Sequence, residues 1–468
     1  MYSGVLRTQL TLVATALGVL AGCVKYRPKP LEPPRLEREY RARSLADAGV
    51  RSFVEANART KPSQWPPAHL DIETLSLVAL YYNPELAVAR ARVGTAEAAI
   101  VTARGRPNPS LSLGAGWTNS PESPIVFHFD PGFAVETAGK RGHRILQAER
   151  RAEVARLEFA EAGWRVRSRV RSALLDHLLA VRELELLEAE AQVRAESVKI
   201  LERRLSAGEV SRPDVDGATT EWSNTQVAIR AAQGRGADTR VTLAGAIGVP
   251  VSALEGTQFG WPAFETPPRQ EDLPLAAVQR AGLLNRLDVR RALIEYAVSE
   301  AALQLEVAKQ YPDIQWNPGY SFDEGHHKFT LGPSLTLPIF NRNRGPIGEA
   351  RSRREEAAAR FVALQAQAIG EIEKGLAQYK SALAELAEAD TQLVTLHQRR
   401  EAATRRAVEI GETDRLALTG IRVQRAVSVR ARLEALSKAQ AALGALEDAL
   451  QHPLDNQAAM PVPPRGKP

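Results

Sequence analysis

The feature that most constrains the fold of this chain is an internal duplication. The segment TAEAAIVTARGRPNPSLSL (95–113) aligns with VSEAALQLEVAKQYPDIQW (298–316), which places Glu97 over Glu300, 203 positions apart. Further matches keep the same offset: Pro109 with Pro312, Arg141-Gly142 with Arg344-Gly345, Gly208-Glu209 with Gly411-Glu412, and Arg212 with Arg415. The chain is therefore two copies of one unit, and its fold must accommodate both.

The segments around the two copies suggest the domain organisation. We place the first repeat at 71–249 and the second at 275–452, joined by a Pro- and Gly-rich linker at 250–274. An extended N-terminal segment is predicted over 23–70. The tail at 453–468, rich in Pro and polar residues, is expected to be disordered. Each repeat reads in the same order: a helix, two strands, a very long helix, a turn and a returning helix.

Four segments of the chain alternate in polarity with a period of two residues. We predict strands at 109–117 and 125–136 in the first repeat, and at 312–322 and 328–338 in the second. One face is aromatic or aliphatic, and the other carries residues such as Ser112, Gly114, His128, Asp130 and Glu136. Each strand is long enough to cross a bilayer when tilted. The alternative is a soluble sandwich, but four strands make no core for 468 residues.

A membrane sheet of this kind has to close into a barrel, because the backbone N–H and C=O groups of an unpaired edge strand would have no hydrogen-bond partner inside the bilayer. Four strands cannot enclose a pore. Several copies of the chain are therefore expected to share one barrel.

The segments between the strands predict unusually long helices. Residues 132–212 and 347–452 contain no proline, and a continuous helix over 142–207 would reach about 100 Å. Apolar residues step by threes and fours, as in a coiled-coil seam: Leu184, Leu187, Ala191, Val198, Leu201 and Leu205. Hairpin tips are predicted near Gly208 and Gly411, where glycine allows a left-handed backbone. Ser211 or Asp214 would cap the returning helix.

The N-terminus carries the only cysteine of the chain, in LGVLAGCVKYRP (17–28). A single cysteine excludes an internal disulfide and a cysteine-cluster metal site. Residues 1–22 read as a secretory signal peptide that is too short to span a bilayer. Leu20-Ala21-Gly22-Cys23 resembles the lipobox of bacterial lipoproteins, which implies cleavage before Cys23 and its acylation. The alternative is an incidental thiol.

Several function classes lack support in the sequence. A net charge of +6 with alternating Arg and Glu is typical of solvated helices and gives no case for nucleic-acid binding. No phosphate-binding glycine loop, nucleophile elbow or HExxH motif occurs, so neither an enzyme nor a cofactor is predicted. No metal site is assigned. His326-His327, beside Asp323 and Glu324, is left open between a divalent-cation site and an incidental pair.

The duplicated halves, paired strands and long hairpins resemble the TolC family of outer-membrane efflux factors. RLSAGEVSRPDV (204–215) resembles that family's periplasmic tip motif. The resemblance implies a mixed, mainly α fold: a homotrimer with a 12-stranded transmembrane β-barrel, continued by a periplasmic α-helical barrel. It implies a passive channel in the outer membrane of a Gram-negative bacterium, lipid-anchored through Cys23. The partners would be a periplasmic adaptor, an inner-membrane resistance-nodulation-division-type pump and outer-membrane lipid.

Three segments are similar to the cobalt–zinc–cadmium branch of that family: LVALYYNPELAVARAR (77–92), FAVETAGKRGHRILQAE (133–149) and LTLPIFNRNRGPIGEA (335–350). The similarity implies export of heavy-metal cations. Drug or organic-solute efflux and type I protein secretion remain alternatives within the channel class. A lipid-anchored periplasmic coiled-coil scaffold without a pore is the alternative outside it.

The resemblance also assigns the hairpin tips to the adaptor contact and the periplasmic gate. The family's best-known member has aspartates six and nine residues past the second tip glycine, where this chain has Ala417 and Gly420. An aspartate ring cannot be carried over, and other acidic residues at the tips are the candidates to replace it. The residues assigned to the tips are Gly208, Glu209, Arg212, Asp214, Asp216, Gly411, Glu412, Asp414 and Arg415.

Overall fold

The computed structural model describes residues 24–59, 64–119, 124–272 and 285–454. The predicted signal peptide (1–22), Cys23 and the tail beyond residue 454 lie outside the described residues. The chain divides into two compact units, 1–43 and 44–468. The described part of the first contains helix α1 (Pro33–Arg41), which buries no residue and carries the i,i+4 ion pairs Arg35–Glu39 and Glu37–Arg41.

The second unit contains the two repeats. Helix α2 (Ala48–Asn57) and strand β1 (His69–Leu70) precede the first repeat. The first repeat comprises α3 (Ile72–Tyr82), α4 (Pro84–Arg104), β2 (Ser110–Trp117), β3 (Ile125–Val135), α5 (Lys140–Ser206) and α6 (Arg212–Ile247). The linker contributes β4 (Gln258–Phe259). The second repeat comprises α7 (Leu287–Ala308), β5 (Ile314–Asp323), β6 (His326–Leu335), α8 (Arg344–Glu388), a π-helical turn (Ala389–Val394), α9 (Thr395–Glu409) and α10 (Arg415–Leu450).

The structure reproduces the sequence duplication element by element. Helices α6 and α10 are both 36 residues long, and each begins and ends at the equivalent position of its repeat. The mixed, mainly α class built from two repeats is confirmed. One feature breaks the symmetry: α5 is continuous over 67 residues, whereas the equivalent helix of the second repeat is interrupted by the π-helical turn.

The strands form one antiparallel sheet in the order β2-β3-β5-β6. Phe129 lies opposite both Leu113 and Tyr320, so one face is lined with aromatic and aliphatic side chains. On that face Phe329 is 80% exposed and Leu331 is 72% exposed. Within the described residues, β2 and β6 each pair on one side only. The sheet therefore presents an exposed apolar face and two open edges, which a soluble domain would cover.

The apolar core lies where the linker meets the first repeat. Strand β1 pairs in parallel with β4, and α2, α3, α5 and α6 contribute buried side chains around them. The prediction of an extended segment over 23–70 is wrong for α2, where Val50 and Val54 are fully buried. Asp47 caps this helix by accepting a hydrogen bond from the Gly49 N–H, and the i,i+4 spacing turns both valines into the core.

No helix in the described ranges is both long and apolar enough to cross a membrane.

Candidate functional site

The two hairpin tips have the same backbone conformation. Gly208 and Gly411 have φ of 75° and 78°, the left-handed region that favours glycine. The next residue in each tip donates its N–H back into the preceding helix, from Glu209 to the Arg204 carbonyl and from Glu412 to the Ala407 carbonyl, both at 2.9 Å. These Schellman-type bonds end α5 and α9 and fix where the tip side chains lie.

The tips of one chain are joined to each other by a charged link. Arg204, at the end of α5, donates from Nη2 to Asp414 Oδ2 at 2.8 Å. Asp414 also caps α10 by accepting the Ala417 N–H at 2.8 Å. The hydrogen bond from Ala417 and the bond from Arg204 hold the pKa of Asp414 below its usual value. Ala417, the position that departs from the family pattern, thus serves as the backbone donor of this cap.

The predicted aspartates of the first tip have local partners. Asp214 accepts the Ser211 hydroxyl at 2.5 Å and the Ser211 N–H at 2.9 Å, and these bonds lower its pKa. Asp216 pairs with Arg212 along the helix at 3.2 Å, with both side chains exposed. In the second tip the side chains of Glu412 and Arg415 are exposed and form no hydrogen bond or ion pair with another described residue. They are the tip charges most accessible to a partner.

Above the tips, buried carboxylates hold the helices together through arginines. Glu190 of α5 is contacted by Arg194 at 2.8 Å and by Arg430 of α10 at 3.4 Å. Glu401 of α9 is contacted by Arg405, Arg422 and Arg425. The sequence reading missed these residues, because surface and buried charges look alike in an Arg- and Glu-rich helix.

A second cluster fixes the sheet to the helices. Asp313, just before β5, accepts the Thr137 N–H at 2.9 Å and the Lys140 ammonium at 2.7 Å. Lys140 is buried and also donates to the Tyr311 carbonyl at 2.5 Å. The first turn of α5 is thereby tied to the strand of the other repeat. The sequence contains no signal for this contact, because the lysine's equivalent in the second repeat is Asn343.

The histidine pair left open by the sequence cannot bind one metal ion jointly. His326 and His327 are consecutive strand residues, so their side chains lie on opposite faces of the sheet. The ring of His327 accepts or donates a hydrogen bond with the Tyr320 hydroxyl at 2.8 Å, on the aromatic face. Asp323 is paired with Lys328 at 2.9 Å. Among the described residues no group of three or more His, Cys, Asp or Glu side chains could hold a metal.

The sheet, its apolar face and the paired hairpins define a class of protein: a channel protomer that joins a membrane β-barrel to a helical periplasmic domain. Residues 75–249 match the family model described as outer membrane efflux protein. The first repeat therefore matches the outer membrane efflux protein family by sequence, and the chain shares its fold with solved outer-membrane channels over most of its length.

The chain is similar to a resistance protein, to an export protein and to a solved outer membrane protein. It is 27% identical to the cobalt-zinc-cadmium resistance protein CzcC of Cupriavidus metallidurans, over 63% of this chain and 69% of that protein. It is 25% identical to the pyoverdine export outer membrane protein OpmQ of Pseudomonas aeruginosa, over 62% and 64%. The solved structure of the outer membrane protein VceC from Vibrio cholerae superposes with a TM-score of 0.66 at 20% identity, covering 82% of this chain and 97% of that one.

Proposed function

We propose that the chain is the passive outer-membrane channel of a tripartite efflux pump. The observation that carries this proposal is the four-stranded sheet with an exposed aromatic face and two open edges, set above two long helical hairpins. Such a face is stable in contact with lipid, and open edges in a bilayer have to be paired. Neither a periplasmic scaffold nor an enzyme has a use for this sheet.

The open edges support assembly as a homotrimer. If β6 of one protomer pairs with β2 of the next, three sheets close into 12 strands, and no unpaired backbone group is left facing lipid. The same arrangement places three copies of each hairpin around one axis. The localisation that follows is the outer membrane of a Gram-negative bacterium, with the hairpins in the periplasm.

The inner face of that barrel would be polar and sterically open. The face opposite the aromatic one carries His128. Its ring fills the space that a side chain at position 114 would need, since a Cβ on Gly114 would lie 1.9 Å from the imidazole. Gly319 gives the same room to Asp130, whose Oδ1 would be 2.4 Å from a Cβ at that position. Glycine therefore lets polar groups lie against the wall, which suits a water-filled passage.

The tips would bind the adaptor and form the periplasmic gate. Glu209, Glu412 and Arg415 are exposed and suited to contact a partner, whereas Arg204 and Asp414 bind each other and suit the gate. Arg212, Asp214 and Asp216 are engaged in local bonds that shape the first tip. We therefore assign the adaptor contact to the first group and closure to the second.

Heavy-metal cations are the proposed cargo, on the basis of the similarity to a cobalt-zinc-cadmium resistance protein. The similarity to a pyoverdine export protein favours an organic solute as the second candidate. Deleting the gene in its native host separates them. Sensitivity to Co²⁺, Zn²⁺ and Cd²⁺ that is restored by the intact gene supports metal export, whereas unchanged metal tolerance with intracellular retention of an organic solute supports the alternative.

The anchor at Cys23 remains a proposal, because this residue lies outside the described part of the chain. Intact-mass analysis of the mature protein tests it. The expected mass is that of a chain that begins at Cys23 and carries acyl groups. Cys23→Ala should abolish the acylation. A mature N-terminus elsewhere would reject the anchor without affecting the channel.

The channel itself is tested in planar bilayers with the purified protein. A small, stable conductance is expected, and the charge reversals Asp214→Arg and Glu412→Arg should change it through their position at the tips. The absence of conductance at every protein concentration, in a protein that forms well-folded trimers, would reject the channel.

A further inference from the structure

The face of the four-stranded sheet opposite the aromatic one carries a histidine and a carboxylate on the same strand. His128 and Asp130 both lie in β3, one residue apart, so their side chains leave the sheet on the same side. The residues that share their two rows across the sheet are small or polar: Gly114, Ser321 and Lys328 with His128, and Ser112, Gly319 and Thr330 with Asp130. In the proposed barrel this face lines the lumen, so both groups are open to a passing solute.

No bond to a neighbouring residue holds these two side chains in place. His128 is exposed and Asp130 is half-buried, and neither side chain forms a hydrogen bond or ion pair with another residue in the described ranges. The imidazole rests over Gly114 on one side of β3, and Asp130 Oδ1 rests over Gly319 on the other. Rotation about the first side-chain bond of each residue turns both groups towards the middle of β3 and breaks no hydrogen bond.

The spacing of the two residues suits the binding of a single metal ion. Residues separated by one position in a strand have Cα atoms about 7 Å apart. An ion held at about 2.0 to 2.2 Å from an imidazole nitrogen and from a carboxylate oxygen fits between two side chains at that distance, and both groups are ligands of Zn²⁺. The intervening residue, Phe129, lies on the aromatic face and does not obstruct the ion.

Two protein ligands make a site from which the ion can leave. Structural zinc sites use four protein ligands, whereas a pair leaves the other coordination positions to water. A conducting passage requires binding of this kind, because an ion that enters a site also has to depart. The small number of ligands agrees with the absence, across the part of the chain that the structure describes, of any group of three or more His, Cys, Asp or Glu side chains that could hold a metal.

A second histidine and carboxylate on the same face supply an internal comparison. His326 and Asp323 lie opposite each other, next to the turn between β5 and β6. Here the carboxylate is already occupied, because Asp323 Oδ2 accepts the Lys328 ammonium at 2.9 Å. The ammonium takes the place of a metal ion and repels another cation. The same two types of side chain are therefore unpaired at positions 128 and 130 and blocked at positions 323 and 326.

We propose that His128 and Asp130 form a binding site for a divalent transition-metal ion, called the lumenal site here, with one site in each chain and three in the barrel. The proposal rests on the proposed channel function and deepens it, because it gives a metal cargo a specific contact within the passage. An ion that crosses the barrel exchanges part of its water shell for the imidazole and the carboxylate, and recovers that water when it leaves. Lys328 prevents His326 and Asp323 from acting in the same way.

The first test measures Zn²⁺ binding to the full-length protein in detergent by isothermal titration calorimetry, and it does not depend on conduction. His128→Ala and Asp130→Asn should each weaken the binding of one ion per chain about tenfold or more, because the loss of a direct ligand costs at least as much as the loss of a residue that only orients one. His326→Ala is the matched control and should leave this binding unchanged. Binding that is the same in all four proteins would overturn the proposal.

Lys328→Gln tests the same chemistry by the gain of a site. Removing the ammonium frees Asp323 beside His326, so one additional ion per chain should bind. This variant retains both residues of the lumenal site, and a gain of binding cannot come from a damaged fold. Lys328→Gln combined with His326→Ala should return the protein to its original stoichiometry. A single variant that binds no additional ion would overturn the role given to Lys328.

Planar bilayers connect the lumenal site to the passage. Zn²⁺ added to a channel that conducts K⁺ should briefly reduce the current each time an ion occupies the site. The half-blocking Zn²⁺ concentration should rise about tenfold or more in His128→Ala and Asp130→Asn. A conducting channel whose block is the same in these variants would reject the lumenal site as part of the passage. Zn²⁺ binding that depends on His128 in a protein that never conducts would reject the channel function while leaving the metal site in place.

Discussion

Breaking the charged link between the two tips is expected to open the periplasmic end of the channel. Arg204 and Asp414 are 2.8 Å apart, and their side chains are 28% and 48% exposed. A partly exposed pair of this kind contributes about 0.5 to 1 kcal/mol. If three copies have to break together, the closed arrangement loses about 1.5 to 3 kcal/mol, which is about a 10- to 150-fold shift towards the open state.

The duplication supplies a clean variant for this experiment. Asp414 also caps α10, so replacing it with alanine would remove a cap and a charge together. Its equivalent in the first repeat is Ser211, which is itself the N-cap residue of α6. Asp414→Ser should therefore remove the charge while keeping a capping side chain. Arg204→Gln removes the other partner without affecting any cap.

Single-channel recording at low salt measures the effect. Each single substitution should raise the open probability within the stated range, and the double variant Arg204→Gln/Asp414→Ser should add little beyond either one, because both break the same contact. Arg212→Gln is the matched control, since its pair with Asp216 lies within one helix. Additive effects of the two substitutions, or an equal effect of the control, would show that the contact between Arg204 and Asp414 does not hold the periplasmic end closed.

Three further results are expected. Acid should weaken the contact between Arg204 and Asp414 only below about pH 4. The pKa of Asp414 is lowered, so the stabilisation from its carboxylate is fully present above the ordinary aspartate pKa and is lost as the pH falls further. An open probability that already rises between pH 7 and pH 5 would contradict this prediction. Glu447→Gln should lower the free energy of unfolding of the solubilised protein by about 3 to 5 kcal/mol, because the carboxylate, which is 1% exposed, neutralises Arg167 and Arg171 at 3.2 and 3.3 Å. Circular dichroism during heating measures the loss of stability, and an unchanged unfolding transition would refute the prediction. Gly444→Ala should lower the free energy of unfolding by about 1 to 3 kcal/mol in the same assay, because the new Cβ would lie 2.1 Å from Arg171 Nη1. A stability equal to that of the unmodified protein would show that the arginine side chain moves aside without a penalty.

Features with a local period were readable from the sequence. The alternation in the strands and the missing prolines in the hairpins each depend on neighbouring residues, and the sheet and helices appear where those patterns occur. The tight turn between β5 and β6 is shorter than the sequence suggested, because Glu324 and Gly325 both adopt positive φ and the strands continue up to them.

Features that depend on packing between distant segments were not readable. Arg204 and Asp414 are 210 residues apart, and Lys140 and Asp313 are 173 apart, so each pair requires the register of one repeat against the other. The π-helical turn was missed for a related reason. Its residues, ADTQLV, are compatible with a regular helix.

The central claim is that several copies of this chain share one barrel, and the mass of the intact assembly tests it most directly. Native mass spectrometry of the protein released from a mild detergent is expected to show three chains, which supplies 12 strands and pairs every open edge. A monomer that carries bound detergent on its sheet, with no trimer at any concentration, would contradict the shared barrel and the channel built on it.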